Sequence, residues 1–287
     1  MKIRLLLAYC LLSTAYCFAQ LPDCDIFLLD IKDSAGNVSF HNPVNITNRK
    51  GYDNQPAFSP DGKYLFYTSQ RDSNGQTDIF KYDLKTKTVS QFTKTATSEY
   101  SPTFTPDGKF ISVVMVEKDS AQRVWKFPLA GGEPVCLSKN MDSVGYHAWI
   151  SKELMAVDVL TKPGFTLQVF NVTLQKPIIV ADSIGRCMRM KGGKLWFTTQ
   201  SGHFWNVYEY WAESKVKTVL QGIIESEDYC FYKKDVWSIS DNTIIAGFMN
   251  TNAGAQEIVD LSAFGITKPT RISLSPDGKR LAVVSNK

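Results

Sequence analysis

Three histidines, His41, His147 and His203, are the side chains of this sequence best suited to ligate a transition metal. They stand far apart and fall in different copies of the repeat described below, so they do not form a ligand set. Asp61, Asp107 and Asp277 recur in Pro-Asp-Gly and together suggest a ring of carboxylates. In that triplet, however, Asp bonds its own backbone, and a structural turn is the expected role. Asp25, Asp30, Asp78 and Asp83 recur with a strand and read the same way. The oxygen-rich run Asp72-Ser73-Asn74-Gly75 holds donors for Ca²⁺, although a plain hairpin explains it better. A serine hydrolase needs a G-x-S-x-G elbow followed by an α/β domain, and neither is found. P-loop, dinucleotide-binding and EF-hand patterns are also missing. No catalytic set emerges, and no cofactor is expected, Ca²⁺ being the one cation with candidate donors.

The elements that position these residues come from an internal repeat. Pro56-Ala57-Phe58-Ser59-Pro60-Asp61-Gly62 returns as Pro102-Thr103-Phe104-Thr105-Pro106-Asp107-Gly108, and again as Ile272-Ser273-Leu274-Ser275-Pro276-Asp277-Gly278. Each copy is followed by Lys and an apolar strand. Pro fixes φ and Gly accepts a positive φ, which makes a tight turn between two strands. Asp78–Leu84 supplies a third strand and Val89–Thr93 a fourth. Four antiparallel strands in about 40–45 residues form one propeller blade. Weaker copies begin at Tyr146, with Leu167–Asn171 as third strand, and at Arg186, continuing through Leu195–Thr198 and Asn206–Tyr210. A further copy is read from Val236-Trp237-Ser238-Ile239, with Glu257–Leu261 as its third strand.

The last copy holds only two strands, and Asp25–Ile31 matches Asp78–Leu84 while Val44–Thr47 matches a fourth strand. The predicted fold is therefore all-β: a six-bladed propeller of four-stranded antiparallel blades over 20–287. Its last blade is split between 24–47 and 270–287, so that N-terminal strands pair with C-terminal ones and close the ring. Closure removes open sheet edges, and a monomer is expected.

Residues 1–19 read as an export signal: Lys2 and Arg4, an apolar run from Leu5 to Leu12, and Cys17-Phe18-Ala19 as the cleavage site. The apolar run is too short to span a membrane, and no second stretch is long enough. Export to the periplasm or cell surface is expected. Removing the signal lowers the basic count from 32 to 30 against 28 acidic residues, a net charge of about +2. Such a balance gives no electrostatic case for nucleic acid. Cys24, Cys136, Cys187 and Cys230 remain in the mature chain, and their wide spacings leave both disulfides and free thiols open.

The Pro-x-Phe-Ser-Pro-Asp-Gly-Lys turn and the Asp-Ile-Phe-x-x-Asp-Leu strand resemble the TolB-type (WD40-like) propeller repeat over nearly all of the mature chain. The same repeat occurs in propellers of prolyl-oligopeptidase-like proteases and of some polysaccharide lyases. The resemblance implies a periplasmic propeller that binds proteins. It differs in that TolB carries an α/β domain ahead of its propeller, which argues against a full Tol-system role. Asp33-Ser34-Ala35, Asp119-Ser120-Ala121, Asp142-Ser143-Val144 and Asp182-Ser183-Ile184 resemble the O-glycosylation acceptor of exported Bacteroidetes proteins.

Propellers bind at the mouth of the central channel, through the segment before each innermost strand. Read blade by blade, that segment gives Tyr52, Asp53, Glu99, Tyr100, Tyr146, His147, Arg186, Asp228, Tyr229 and Arg271. Tyr and Arg dominate interface energetics. The expectation is a non-enzymatic scaffold that binds an envelope protein or peptide segment at this face. The alternative is a small-molecule or glycan site in the channel, in a sensor or a lyase-like enzyme.

Overall fold

Strand β1 (Cys24–Ser34) and strand β2 (Asn37–Asn45) open a computed structural model that describes residues 21–71, 75–162, 164–211, 215–248 and 254–287. The signal segment, 1–19, and the candidate Ca²⁺ donors at 72–74 lie outside the described residues. Five blades follow in chain order, each a four-stranded sheet. The first holds β3 (Asp53–Phe58), β4 (Tyr64–Gln70), β5 (Thr77–Asp83) and β6 (Val89–Gln91). The second holds β7 (Ser98–Phe104), β8 (Phe110–Val116), β9 (Gln122–Pro128) and β10 (Val135–Cys136). The third comprises β11 (Val144–Trp149), β12 (Leu154–Leu160), β13 (Phe165–Asn171) and β14 (Lys176–Asp182). The fourth comprises β15 (Ile184–Lys191), β16 (Lys194–Ser201), β17 (Phe204–Trp211) and β18 (Lys215–Ile224). The fifth comprises β19 (Tyr229–Tyr232), β20 (Asp235–Ser240), β21 (Thr243–Phe248) and β22 (Gln256–Asp260), followed by a short 3₁₀ turn.

The sixth blade is the split one. Strands β23 (Pro269–Leu274) and β24 (Arg280–Asn286) join β1 and β2 in the order β2-β1-β24-β23. Ile26 faces Val284 and Asp30 faces Arg280 across the seam. The Lys287 amide donates to the Asp23 carbonyl at 3.0 Å, so the two ends of the described chain meet.

The repeated turn behaves alike in its three strong copies. Ser59, Thr105 and Ser275 each donate a side-chain hydroxyl to the aspartate two residues on, at 2.6–2.7 Å. That carboxylate accepts the amide of the following lysine. Gly62, Gly108 and Gly278 adopt φ of 67°, 64° and 70°, the left-handed region that a Cβ disfavours. The aspartates are thus turn residues, as their sequence context indicates.

Packing between blades explains why these strands read as unbroken apolar runs. Alternate residues of one strand enter different clusters. In β24, Leu281 and Val283 pack with Trp237 and Ile239 of the preceding blade, while Ala282 and Val284 pack with Tyr67 and Leu65 of the next. Each blade-to-blade interface has such a cluster.

The fifth complete blade corrects the sequence reading. Val236–Ile239 belongs to its second strand, not its first, and Glu257–Asp260 belongs to its outermost strand, not its third. Its first hairpin turns at Lys233, with φ of 52°, and lacks the Pro-Asp-Gly signature. A second tight turn at Asp241 pairs Ser240 with Thr243, placing β21 directly after β20. Among the Asp-Ser sites, Ser120, Ser143 and Ser183 lie in connections, whereas Ser34 closes β1. Cys24, Cys136, Cys187 and Cys230 are free thiols, and all but Cys136 are buried. No helix of the described residues is long and apolar enough to cross a membrane.

Candidate functional site

The innermost strands of the six blades, β23, β3, β7, β11, β15 and β19, surround a central cavity of 1120 Å³. Five of these strands carry a register shift against their neighbour, between Asn54 and Ala57, Tyr100 and Thr103, Val144 and Tyr146, Ile184 and Met188, and Pro269 and Arg271. A bulge re-aims side chains that simple alternation would send elsewhere. At two equivalent positions, Gln55 and Ser101, the residue before proline takes φ of 58° and 55°. The Gln55 side chain then accepts from Thr68 Oγ1 at 2.7 Å and from the Ser101 amide at 2.8 Å, tying two inner strands together. Gly185 serves the same end differently. A Cβ there would lie 2.5 Å from Thr198 Oγ1 and 2.8 Å from the Trp205 ring, so only glycine lets β15 approach its neighbours closely.

A charged network sits at the throat of the cavity. Arg186 reaches Asp228 at 2.6 Å and Glu227 at 3.0 Å, and donates to the Thr270 carbonyl at 3.1 Å. Arg271 stands 4.0 Å from the same Asp228 oxygen and donates to the Tyr146 hydroxyl at 3.3 Å, its guanidinium lying over the Tyr146 ring. The Asp228 side chain is 1% exposed. Burial works against the Arg271 charge, but Asp228 and Tyr146 hold its pKa above the ordinary value. Arg186 follows the same pattern, with Asp228 and Glu227 overcoming burial.

Of the ten residues read from the sequence, Tyr146, His147, Arg186, Asp228 and Arg271 line the cavity together. The other five do not line it. Tyr52 is buried beside the throat, its hydroxyl pushed up by burial and then by Tyr146. Tyr100 packs, half-buried, between two interface clusters. Asp53 is fully buried and bonds Arg49 and Ser69. Tyr229 is fully buried among Cys187, Trp196 and Val207. Glu99 is fully buried, accepting hydrogen bonds from Thr93 Oγ1 at 2.9 Å and from Thr95 Oγ1. His147 is buried, and burial pulls its pKa down to about 3, leaving a neutral imidazole bonded to Ser112 Oγ at 2.7 Å. Position before the inner strand found the throat, but one such position per blade is also where neighbouring blades lock together.

Among the lining residues absent from the sequence reading are Arg189 and Lys233. Arg189 shares β15 with Arg186, yet an odd spacing on a regular strand places two side chains on opposite faces. The bulge between Ile184 and Met188 brings both to the cavity. Lys233 sits on the turn after β19 and pairs with Asp33 at 2.6 Å. Neither bears a mark in the repeat. No group of three or more His, Cys, Asp or Glu among the described residues is arranged to hold a metal ion.

Burial raises the Glu99 carboxyl to about 7 against an ordinary 4.5, the Thr95 and Thr93 hydroxyls opposing and Asp78 reinforcing the shift. Burial also raises Asp158 to about 7, with Glu227 adding to it. A carboxyl whose folded-state pKa is raised contributes its stability below the unfolded value and loses it as pH climbs through the folded one. Stability is therefore expected to fall between pH 5 and pH 8. Glu99→Gln keeps a neutral partner for the threonines and is expected to recover about 1–3 kcal/mol at pH 8, at roughly 1.4 kcal/mol per pKa unit. Urea denaturation at the two pH values checks this. An unchanged pH slope in the variant would remove Glu99 as a cause.

The class these features define is a six-bladed β-propeller with a closed ring and a charged channel throat. Among solved structures, a TolB of Agrobacterium tumefaciens superposes with a TM-score of 0.69 at 12% identity, over 93% of this chain and 99% of that one. TolB of Acinetobacter baumannii superposes with a TM-score of 0.55 at 13% identity over 92% of this chain, which spans 64% of that one. A chain of a nidogen–laminin complex gives 0.60 at 10% identity, over 91% and 98% of the two chains. At these identities the likeness is one of fold, and the fold is that of a TolB-like propeller. No family model matches the chain, and no curated protein matches it in sequence.

Proposed function

We propose that the protein is a non-enzymatic, exported TolB-like scaffold that holds a segment of an envelope protein in its central channel. The observation that carries this reading is the cavity itself. At 1120 Å³ it exceeds the about 300–1,000 Å³ usual for small-molecule pockets. Its walls combine the charged throat with apolar inner-strand residues such as Phe58, Phe104 and Phe231, the mixture an extended peptide needs. The TolB-like fold supports protein binding in general. Within this reading the protein acts as a monomer in the periplasm or at the cell surface. Tyr146, Arg186, Asp228 and Arg271 meet the segment, and Tyr52 and Tyr100 support them from behind.

The test uses the exposed rim, where substitutions disturb no packing. Lys32 and Lys279 line the opening and are exposed. Mature protein is expected to capture a partner from solubilised envelope, and the purified partner to bind Lys32→Glu/Lys279→Glu at least 10-fold more weakly. Equal affinity would move the site off the channel. A blank from folded protein would sink the scaffold reading. It would favour the second one, a small molecule or glycan bound at the throat, for which the Tyr146, Arg271 and Asp228 cluster supplies an aromatic face and paired charges.

A further inference from the structure

We propose that the channel is a carboxylate site anchored by Arg189, so that the segment it takes is acidic. This rests on reading the channel as a peptide site. Three guanidiniums line the cavity: Arg186, Arg189 and Arg271. Two carboxylates answer them: Asp228 Oδ2 is shared by Arg186 and Arg271, Glu227 pairs with Arg186, and Asp228 reaches Arg189 only through space. Arg189 makes no hydrogen bond or ion pair to any described residue.

The two other acids of the lining, Asp33 and Asp277, are engaged elsewhere, Asp277 by the Ser275 hydroxyl and the Lys279 amide of its own turn. Asp33 accepts from Lys233 Nζ at 2.6 Å and from the Tyr232 hydroxyl at 2.8 Å. His147 is neutral and bonded to Ser112, so it brings no charge of either sign. The side chains beside Arg189 on the cavity wall, Cys187, Met188 and Cys230, are buried and carry no charge.

A guanidinium in this setting matches a carboxylate by paired, parallel hydrogen bonds. Walls of low dielectric strengthen that pairing and focus the field along the channel. Lys32 and Lys279 at the opening extend the same sign outward and favour approach of an anion. The bulge of β15 is what allows this arrangement, since it turns Arg186 and Arg189 inward together. No bond is made or broken: the site recognises a charge.

Three fluorescein-labelled hexapeptides test it by anisotropy: six glutamates with an amidated end, six glutamines with an amidated end, and six glutamines with a free C-terminus. The glutamate peptide is expected to bind the wild type at least 10-fold more tightly than the amidated glutamine peptide. Arg189→Met is expected to lose that difference, and Arg189→Lys to keep part of it. If the free C-terminus binds as well as glutamate, the anchored group is a chain end; if it binds like the amide, it is a side chain. Arg189→Met removes a guanidinium that makes no hydrogen bond or ion pair to any described residue, so its Tm should stay close to that of the wild type, which separates lost binding from lost fold. Glutamate bound no better than amidated glutamine, or bound unchanged by Arg189→Met, overturns the proposal. An envelope partner held at full affinity by Arg189→Met also overturns it and leaves the scaffold reading standing. A wild type that binds the glutamate peptide but no envelope partner fails the scaffold reading alone.

Discussion

Asp228→Ala is expected to destabilise the protein by about 3–5 kcal/mol, the cost of removing one partner from a buried ion pair. The side chain lies almost wholly out of solvent and one of its oxygens serves two guanidiniums, Arg186 at 2.6 Å and Arg271 at 4.0 Å. Alanine would leave Arg186 with Glu227 and the Thr270 carbonyl, and Arg271 with only the Tyr146 hydroxyl and ring. Two like charges would then face each other with one carboxylate fewer between them. For a chain of this size the loss corresponds to a drop in Tm of roughly 6–20 °C. Arg186→Met combined with Asp228→Ala removes one of the stranded charges and should recover part of the loss, a coupling that a double-mutant cycle measures. If Asp228→Ala costs less than about 1 kcal/mol, the throat is solvated and the network contributes little.

Deleting residues 21–47 should abolish cooperative folding. Strand β24 would lose its whole register with β1, from Cys24 opposite Asn286 to Asp30 opposite Arg280. Ile26, Leu28, Leu29 and Ile31, all buried, would leave two interface clusters. At about 1.5–3 kcal/mol for each buried side chain, these four alone contribute about 6–12 kcal/mol. That range overlaps the entire net stability of an ordinary domain, about 5–15 kcal/mol. The test has a built-in rescue. Because the Lys287 amide already bonds the Asp23 carbonyl, a chain that begins after β2 and carries 21–47 at its C-terminus should recover a single unfolding transition. A deleted chain that unfolds cooperatively at the wild-type Tm would show that the seam is dispensable.

The fold was legible where the repeat kept its turn chemistry. Ser59-Pro60-Asp61-Gly62 and its two strong copies declare a turn because the hydroxyl and the carboxylate each have a local hydrogen-bonding task while Pro and Gly set the backbone. In the fifth complete blade, turns at Lys233 and Asp241 do the same work with residues that carry no such signature, and the strands were misassigned by one place. The throat was legible in part. Tyr146, Arg186, Asp228 and Arg271 occupy equivalent positions of the repeat and do converge. Asp53 and Glu99 occupy such positions too, but they meet Arg49 and the threonines of a neighbouring connection instead. Arg189 was hidden because a register shift on β15 breaks simple alternation, and the extra residues between Ile184 and Met188 leave no mark in a pattern read by period two.

The seam also sets a clock. Strand β24 lies inside its sheet, flanked by β1 and β23, so a strand made long after β1 is inserted between β1 and its own hairpin partner. At about 5–20 residues per second, synthesis separates the two by roughly 13–50 s. During that interval β1 offers an unpaired edge with nothing of its own chain to cover it. A nascent chain in this state must be shielded or moved on unfolded, and the ring closes only when β24 arrives.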